Sequence, residues 1–449
     1  MTEERPAQSM QSDSSSSPSQ VVLRGQHDLV APSSLVGRGL ARAVRGEWRE
    51  EKSIGFPEPA FGTVIVSPVG DRLAWNRCYP DRHEMGLWER RIGSWVLARR
   101  LRFPSSTQFP VSRSTPHDDW FGYPGCAAWS PCGRYLATGS ACGSKRSPEY
   151  HCGEHRLLVF DTATGDCREV AFLHRSRVTM AAWSTSGEFL ASVSSARAPI
   201  LRLWRCHWQQ GSLGRELIST ELIGRWAGLP GMRITGDLED AGVSREEVYE
   251  LDARGLCSLG ATGVAFSDDE KTLAVVMNMY DRRGLVVLLS VPELEDISRR
   301  ALDLPNPRAL TLRWAPRDGR LLVAGFGGVE VLDARLQSET VLLERGLERV
   351  QRRWGYPSCY SRAAWSGTGD YVCIGIAECT DRKHRKPDEP PDISWSGEML
   401  VVAMADRRVF DTRTIAGGVH DVMWVPSRCA FRAATGSATV VEWRPPLSW

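Results

Sequence analysis

The 449-residue sequence has no uninterrupted apolar run of the roughly 18 residues that a membrane-spanning helix requires. It also has no excess of charge. Its 56 basic and 54 acidic residues leave a net charge of +2, so no global field draws it to nucleic acid or a membrane surface. Lysine is scarce, and arginine supplies nearly all the positive charge, a bias that a GC-rich genome explains without selection for anion binding. The sequence contains no P-loop, no G-x-S-x-G, no H-E-x-x-H and no dinucleotide fingerprint, the motifs that would announce phosphoryl transfer, acyl transfer, zinc hydrolysis or hydride transfer. Twelve cysteines are scattered without a framework spacing, as expected of reduced, partly buried thiols in a cytoplasmic protein. The first 20 residues are acidic and serine-rich without an apolar h-region, which reads as a disordered tail and not as a signal peptide. Residues 21–449 read as one folded unit.

What is present is a repeated phrase. AAWSPCGRYLAT at Ala127–Thr138 returns as AAWSTSGEFLAS at Ala181–Ser192. Related copies are VIVSPVGDRLAW from Val64, VAFSDDEKTLAV from Val264, LRWAPRDGRLLV from Leu312, AAWSGTGDYVCI from Ala363 and VMWVPSRCAFRA from Val422. The anchor position is held by Val66, Trp129, Trp183, Phe266, Trp314, Trp365 and Trp424, at intervals of 63, 54, 83, 48, 51 and 59 residues. Self-similarity at such spacing marks a repeat architecture.

Each copy reads as a strand ending at the anchor, a tight Ser/Pro/Asp/Gly turn, and a second apolar strand. A third strand follows, as in Arg156–Asp161, Pro199–Trp204, Gly284–Ser290, Gly328–Asp333, Glu398–Met404 and Thr439–Trp443. Weaker fourth strands such as Cys167–Leu173 complete the unit. Seven units of four short antiparallel strands, with almost no helix, predict an all-β fold, a seven-bladed β-propeller. The anchor aromatic, the Ser-Pro-x-Gly turn, Leu-Ala-Thr/Ser and the closing Phe160-Asp161 or Leu332-Asp333 resemble the WD40 repeat, from about residue 59 to 446. In Trp204-Arg205 and Trp443-Arg444 the closing pair is loosened further, and only His174 and His420 could stand for the family's Gly-His pair. The resemblance therefore implies the fold and a scaffold role in multiprotein assemblies. It also implies that the family's Asp-His-Ser-Trp network is incomplete, so that blades hold mainly by apolar packing.

The last copy ends after its third strand, and an open sheet edge needs a partner. Residues 45–54 (RGEWREEKSI) are the preferred closing strand, with Gln20–Gly25 as the alternative.

The extra residues are unevenly spent. Turns joining first to second strands are short. Those joining third to fourth are mostly short, Arg205–Gly214 being the longest. Insertions fall at 103–122, 140–155, 226–258, 345–359 and 377–397, connections that all leave from one face. They carry Trp120, Phe121, Tyr123, Tyr150, Trp226, Arg352, Arg353, Trp354, Tyr356 and Trp395, residue types that dominate binding hot spots. The bland alternative is that each aromatic pins its own loop. Within 226–258, Ser244 to Glu247 fits a capping box and Gly255 a C-terminal stop, predicting a short helix with Val248 and Leu251 on one face.

Catalytic and metal signals are weak. The run His117-Asp118-Asp119 reads best as a solvated acidic loop. Cys142, His151, Cys152 and His155 are zinc-ligand types, but their spacing matches no finger pattern, and reduced thiols with surface histidines is the better reading. The basic run Asp381–Lys386 is followed by acidic residues that cancel its charge. Nucleic-acid binding would need a patch built from Arg352, Arg353, Arg382 and Arg385. The expectation is a non-catalytic platform without cofactor or metal, binding a protein or peptide. The alternative is an enzyme or small-ligand receptor at the channel mouth.

Overall fold

The computed structural model describes residues 47–52, 62–77, 84–91, 94–102, 127–139, 155–174, 178–194, 200–211, 214–227, 258–279, 284–302, 304, 309–326, 328–344, 359–381, 393–436 and 439–446. They form seven four-stranded antiparallel sheets arranged as the blades of a propeller. Blade 1 holds β2 (Gly62–Val66), β3 (Arg72–Arg77), β4 (Glu84–Arg91) and β5 (Ser94–Arg102). Blade 2 holds β6 (Ala128–Trp129), β7 (Tyr135–Gly139), β8 (His155–Asp161) and β9 (Cys167–His174). Blade 3 holds β10 (Val178–Trp183), β11 (Phe189–Ser194), β12 (Ile200–Gly211) and β13 (Gly214–Ala227). Blade 4 holds β14 (Ser258–Phe266), β15 (Thr272–Met279), β16 (Gly284–Ser290) and β17 (Asp296–Ala301). Blade 5 holds β18 (Ala309–Trp314), β19 (Leu321–Gly325), β20 (Gly328–Leu332) and β21 (Ser338–Glu344). Blade 6 holds β22 (Cys359–Trp365), β23 (Tyr371–Asp381), β24 (Ile393–Ala403) and β25 (Arg408–Ala416). Blade 7 holds β26 (Val419–Val425), β27 (Ala430–Thr435), β28 (Thr439–Arg444) and, as its outer strand, β1 (Glu47–Lys52). Among the described residues the helical element is the 3-10 turn Pro426–Arg428.

The repeated phrase is the corner between the first two strands of a blade. In five copies a serine closes it: Ser67, Ser130, Ser184, Ser267 and Ser366 each accept, on Oγ, the backbone N–H five residues on, at 3.0–3.2 Å. The turn needs one residue with positive φ. Gly70, Gly133, Gly187, Gly319 and Gly369 supply it at 68–78°, where a side chain would be strained.

The anchor residue explains why the phrase favours tryptophan. Four anchor indoles donate to the carbonyl just before the anchor of the preceding blade. Trp129 Nε1 reaches Ile65 O (3.4 Å), Trp183 reaches Ala128 O (3.2 Å), Trp314 reaches Ala265 O (3.1 Å) and Trp365 reaches Arg313 O (3.2 Å). The buried apolar residues fall into seven clusters, one at each blade interface, so the core is a ring of seven seams. Three arginines add a second tie. Arg72, Arg320 and Arg432 donate to the carbonyls of Gly133, Gly369 and Gly70, the positive-φ glycines of the next blade's corner.

Blade 4 carries Phe266 at the anchor and has no indole to offer blade 3. A different contact joins these corners. Glu270 stands where the other turns have glycine, at φ 59°. Its carboxylate accepts from Thr185 Oγ1 (2.7 Å), Ser186 Oγ (2.8 Å) and Ser186 N in the blade 3 corner. Burial pushes this carboxyl up, but the hydrogen bonds from Thr185 and Ser186 outweigh it and hold it below the ordinary 4.5.

Closure is made by residues 47–52, paired in full register with β28 from Glu47↔Arg444 to Lys52↔Thr439. The other closing segment considered, Gln20–Gly25, lies outside the described residues, as does the helix expected at 244–254. Trp48 and Trp443, directly opposite in that register, both donate to Asp411 Oδ2 of blade 6, at 3.0 and 2.9 Å. On the other side of blade 7, Arg432 and Glu442 form an ion pair at 2.7 Å that is at most 1% exposed, and the Arg432 guanidinium stands 5.7 Å from the Trp95 ring of blade 1. Arg428 and Arg444 also approach Glu442.

Two connections differ from the sequence reading. Arg205–Gly214 is not a turn. The strands β12 and β13 continue through it and pair as far as Gly211↔Gly214, making a long arm. Cys206, Trp208 and Leu217 pack on blade 2, and Tyr135 Oη accepts Leu217 N–H at 3.0 Å, so burial of alternate residues extends the hairpin. Likewise 377–397 is a ribbon at its base, with β23 and β24 paired from Glu378↔Ser396 to Asp381↔Ile393.

Replacing Trp365 with Phe keeps most of the buried ring and removes the tie to Arg313 O. Stability should fall by about 1–2 kcal/mol, read as a lower urea midpoint. Glu270→Gln should cost about 1 kcal/mol at pH 7. Because the folded carboxyl lies below its ordinary value, this stabilisation is present above pH 4.5 and is lost as pH falls through the folded value. Wild type and variant should therefore converge in acid.

Candidate functional site

In an up-and-down blade, the corners between first and second strands and between third and fourth strands lie on one side of the ring. Connections between second and third strands, and between blades, leave from the other. The five inserted segments depart from and return to strand ends on this second side: Arg102 to β6, Gly139 to β8, Ala227 to β14, Glu344 to β22, and Asp381 to β24. Trp120, Phe121, Tyr123, Tyr150, Arg352, Arg353, Trp354 and Tyr356 lie outside the described residues, as do Cys142, His151, Cys152, His117, Asp118, Asp119, Arg382 and Arg385. His155 is the first residue of β8, opposite His174.

Trp395 lies on the β23–β24 ribbon, paired with Cys379. Trp226 requires a correction. It is not a loop residue but part of β13, 8% exposed and packed in the seam between blades 3 and 4. Its Nε1 donates to Asp296 Oδ1 at 3.0 Å, and the Arg299 guanidinium lies 5.9 Å from its ring. The strand runs two residues further than its sequence suggested because this indole finds an apolar seam and an acceptor in the next blade. Trp226 is a seam residue, and its ring is not available to a partner.

Around the axis the first strands of blades 5 to 7 carry Arg313, Arg362, His420 and Asp421. Of these the repeat pattern marks only His420, as a remnant of the Gly-His pair; Arg313, Arg362 and Asp421 stand outside it. Alignment of the copies marks two of them: Arg362 and Asp421 stand three residues before the anchor, where other copies have Thr63, Met180, Gly263 and Thr311. Asp421 is 8% exposed. Burial pushes its carboxyl up, while Arg313, Arg362 and the backbone N–H groups of Val66 and Val422 partly restrain the rise. The Val66 contact ties blade 7 to blade 1. Burial, aided by Arg362, pushes His420 down to about 4, against a hydrogen bond with the Gly417 backbone. A Cβ on Gly436 would stand 2.6 Å from His420 Nε2, so glycine is required beside the ring.

Among the described residues no group of three or more His, Cys, Asp or Glu converges as a metal site, and no helix is long and apolar enough to cross a membrane. Cys132, Cys167, Cys206, Cys373 and Cys429 are free thiols. Burial raises those of Cys206, to about 12, and Cys373, which makes them poor nucleophiles.

The depressed His420 value has a consequence for stability. The ring stays neutral in the folded state, and the unfolded chain takes up its proton first as pH falls. Stability is fully present above pH 6.5 and is lost progressively down to about 4, a change on the order of 3 kcal/mol. Between pH 7 and 5, wild type should lose more stability than His420→Gln in parallel urea titrations.

Compared with known proteins, the sequence matches no family model and no curated relative. Its fold is similar to the crystal structure of the Myceliophteria thermophila Cps50 (Swd1) beta-propeller domain, with a TM-score of 0.51, 16% identity, and coverage of 88% of this chain and 99% of that one. At that identity the likeness concerns architecture alone. The chain has a seven-bladed β-propeller fold.

Proposed function

We propose that this protein is a non-catalytic interaction platform whose inserted loops present an aromatic and arginine-rich face to a protein or peptide, at a cytoplasmic location. The carrying observation is the one-sided placement of the strand ends from which all five insertions leave. Loops on a rigid scaffold are where binding residues concentrate. The side with the short corners is occupied differently. There, the anchor indoles, Glu270 and the three arginines tie adjacent blades together. The swap of Trp226 from partner contact to seam leaves Trp120, Trp354 and Trp395 as the proposed anchors of the face. A second reading, a small-anion receptor in the channel, draws support from Arg313 and Arg362 beside Asp421.

The test is affinity purification from the native host with wild type and with a Trp120→Ala, Trp354→Ala, Trp395→Ala triple variant of unchanged thermal midpoint. A control carries Val69→Ser in a corner turn, where Val69 is 44% exposed. A stoichiometric partner should be kept by the control and lost by the triple variant. Retention by the triple variant, or loss by the corner control instead, would reject the proposed face.

A further inference from the structure

Arg202 is a charged residue in an unusual position. It is the third residue of β12, in the interior of blade 3, and only 4% exposed. Along β12 it shares a face with Trp204 and Cys206, which pack in the seam between blades 2 and 3. Its Nε and Nη1 are sealed from water and meet no acceptor. The other buried arginine among the described residues, Arg432, at 0% exposure, has Glu442 at 2.7 Å. An unpaired buried guanidinium is costly.

The residue opposite Arg202 aggravates this cost. In the β12–β13 register its partner is Arg225. Directly opposite residues of an antiparallel pair project from the same face, and like charges there repel. Burial and the Arg225 charge together lower the Arg202 pKa to about 10, so it remains a cation at neutral pH. Arg225 is half-buried and lies two residues before the end of β13, towards the side of the ring from which the insertions leave. The pair thus runs from a sealed interior cation to a half-open one at the outer edge of the seam.

We infer that Arg202 and Arg225 form a subsite for a phosphate group, entering between blades 2 and 3 from the loop side. Two adjacent guanidiniums need about two negative charges, which phosphate carries at neutral pH and a carboxylate does not. Arginine forks also suit its oxygens. A free phosphate and one borne on a peptide present the same chemistry to the pair. The subsite does not rest on the platform reading, because inorganic phosphate alone tests it.

The experiment measures thermal midpoints of the full chain against sodium phosphate, with sodium chloride and sodium acetate at matched ionic strength. Wild type, Arg202→Met and Arg225→Gln are compared, with phosphorus NMR line broadening as a direct readout of binding. Wild type should show a saturable phosphate response that acetate does not reproduce. Each variant should weaken it at least about tenfold, while Arg202→Met raises the midpoint in chloride by removing an unpaired buried charge. General salting-out by phosphate would shift all three proteins alike; an equal shift, or no saturable binding to wild type, overturns the inference. If Arg202→Met fails to fold, Arg225→Gln and the NMR titration still decide. A phosphoserine pentapeptide binding more tightly than inorganic phosphate, and its unphosphorylated form not at all, would assign the source to a partner chain. Equal affinity would assign it to the free ion.

Discussion

Four blades of this ring are each held to the one before at a single corner, by an indole reaching the neighbour's backbone. A four-stranded sheet exposes two apolar faces and cannot bury either alone. Apolar packing fills the seven seams, but it is non-directional and does not fix how far one blade slides along the next. An indole that donates to one particular carbonyl does. The anchor tryptophan combines both roles in one residue, a large buried ring and a single aimed donor.

The exceptions show how strongly the corner demands such a tie. Blade 4 has a phenylalanine anchor and places a glutamate in the strained turn position, where its carboxylate collects donors from the blade 3 corner. A left-handed glutamate costs about 1 kcal/mol in backbone strain, which the hydrogen bonds to Thr185 and Ser186 offset. Blade 1 has valine, and the seam to blade 7 is held by Arg432, Glu442 and the Val66 amide on Asp421 instead. The excess of arginine, unremarkable as composition, thus includes residues with fixed structural tasks. Lysine, with no planar fork, is poorly suited to reach a glycine carbonyl and an aromatic ring together.

Much of the architecture was legible because the constraint recurs. All seven anchors named from the repeated phrase lie at or next to the end of a first strand, and the preferred closing segment, 45–54, contains the strand that pairs. Where the sequence misled, the cause was length. The arm of blade 3 and the ribbon of blade 6 have polar, turn-like composition at positions that pair as strands, and in the arm blade 2 covers one face. Trp226 was counted with the loops for the same reason, since nothing local reveals an apolar seam and an aspartate in another blade. Arg313, Arg362 and Asp421 do not stand out in the sequence because their positions vary from copy to copy while the anchors recur. Arg202 was hidden differently: an arginine between leucines in a strand looks like an edge residue until its register partner is known to be Arg225.

The shared acceptor Asp411 links Trp48 to a position 363 residues away. Contacts of such separation form late, because closing so long a loop costs chain entropy before anything is gained. A ribosome must therefore release the chain through β28 before β1 finds its place. Until then six blades stand with an open rim, and their unpaired edges are available to other nascent chains. This protein should depend on chaperones in proportion to the time its last blade takes to emerge, and not to the stability of the finished ring.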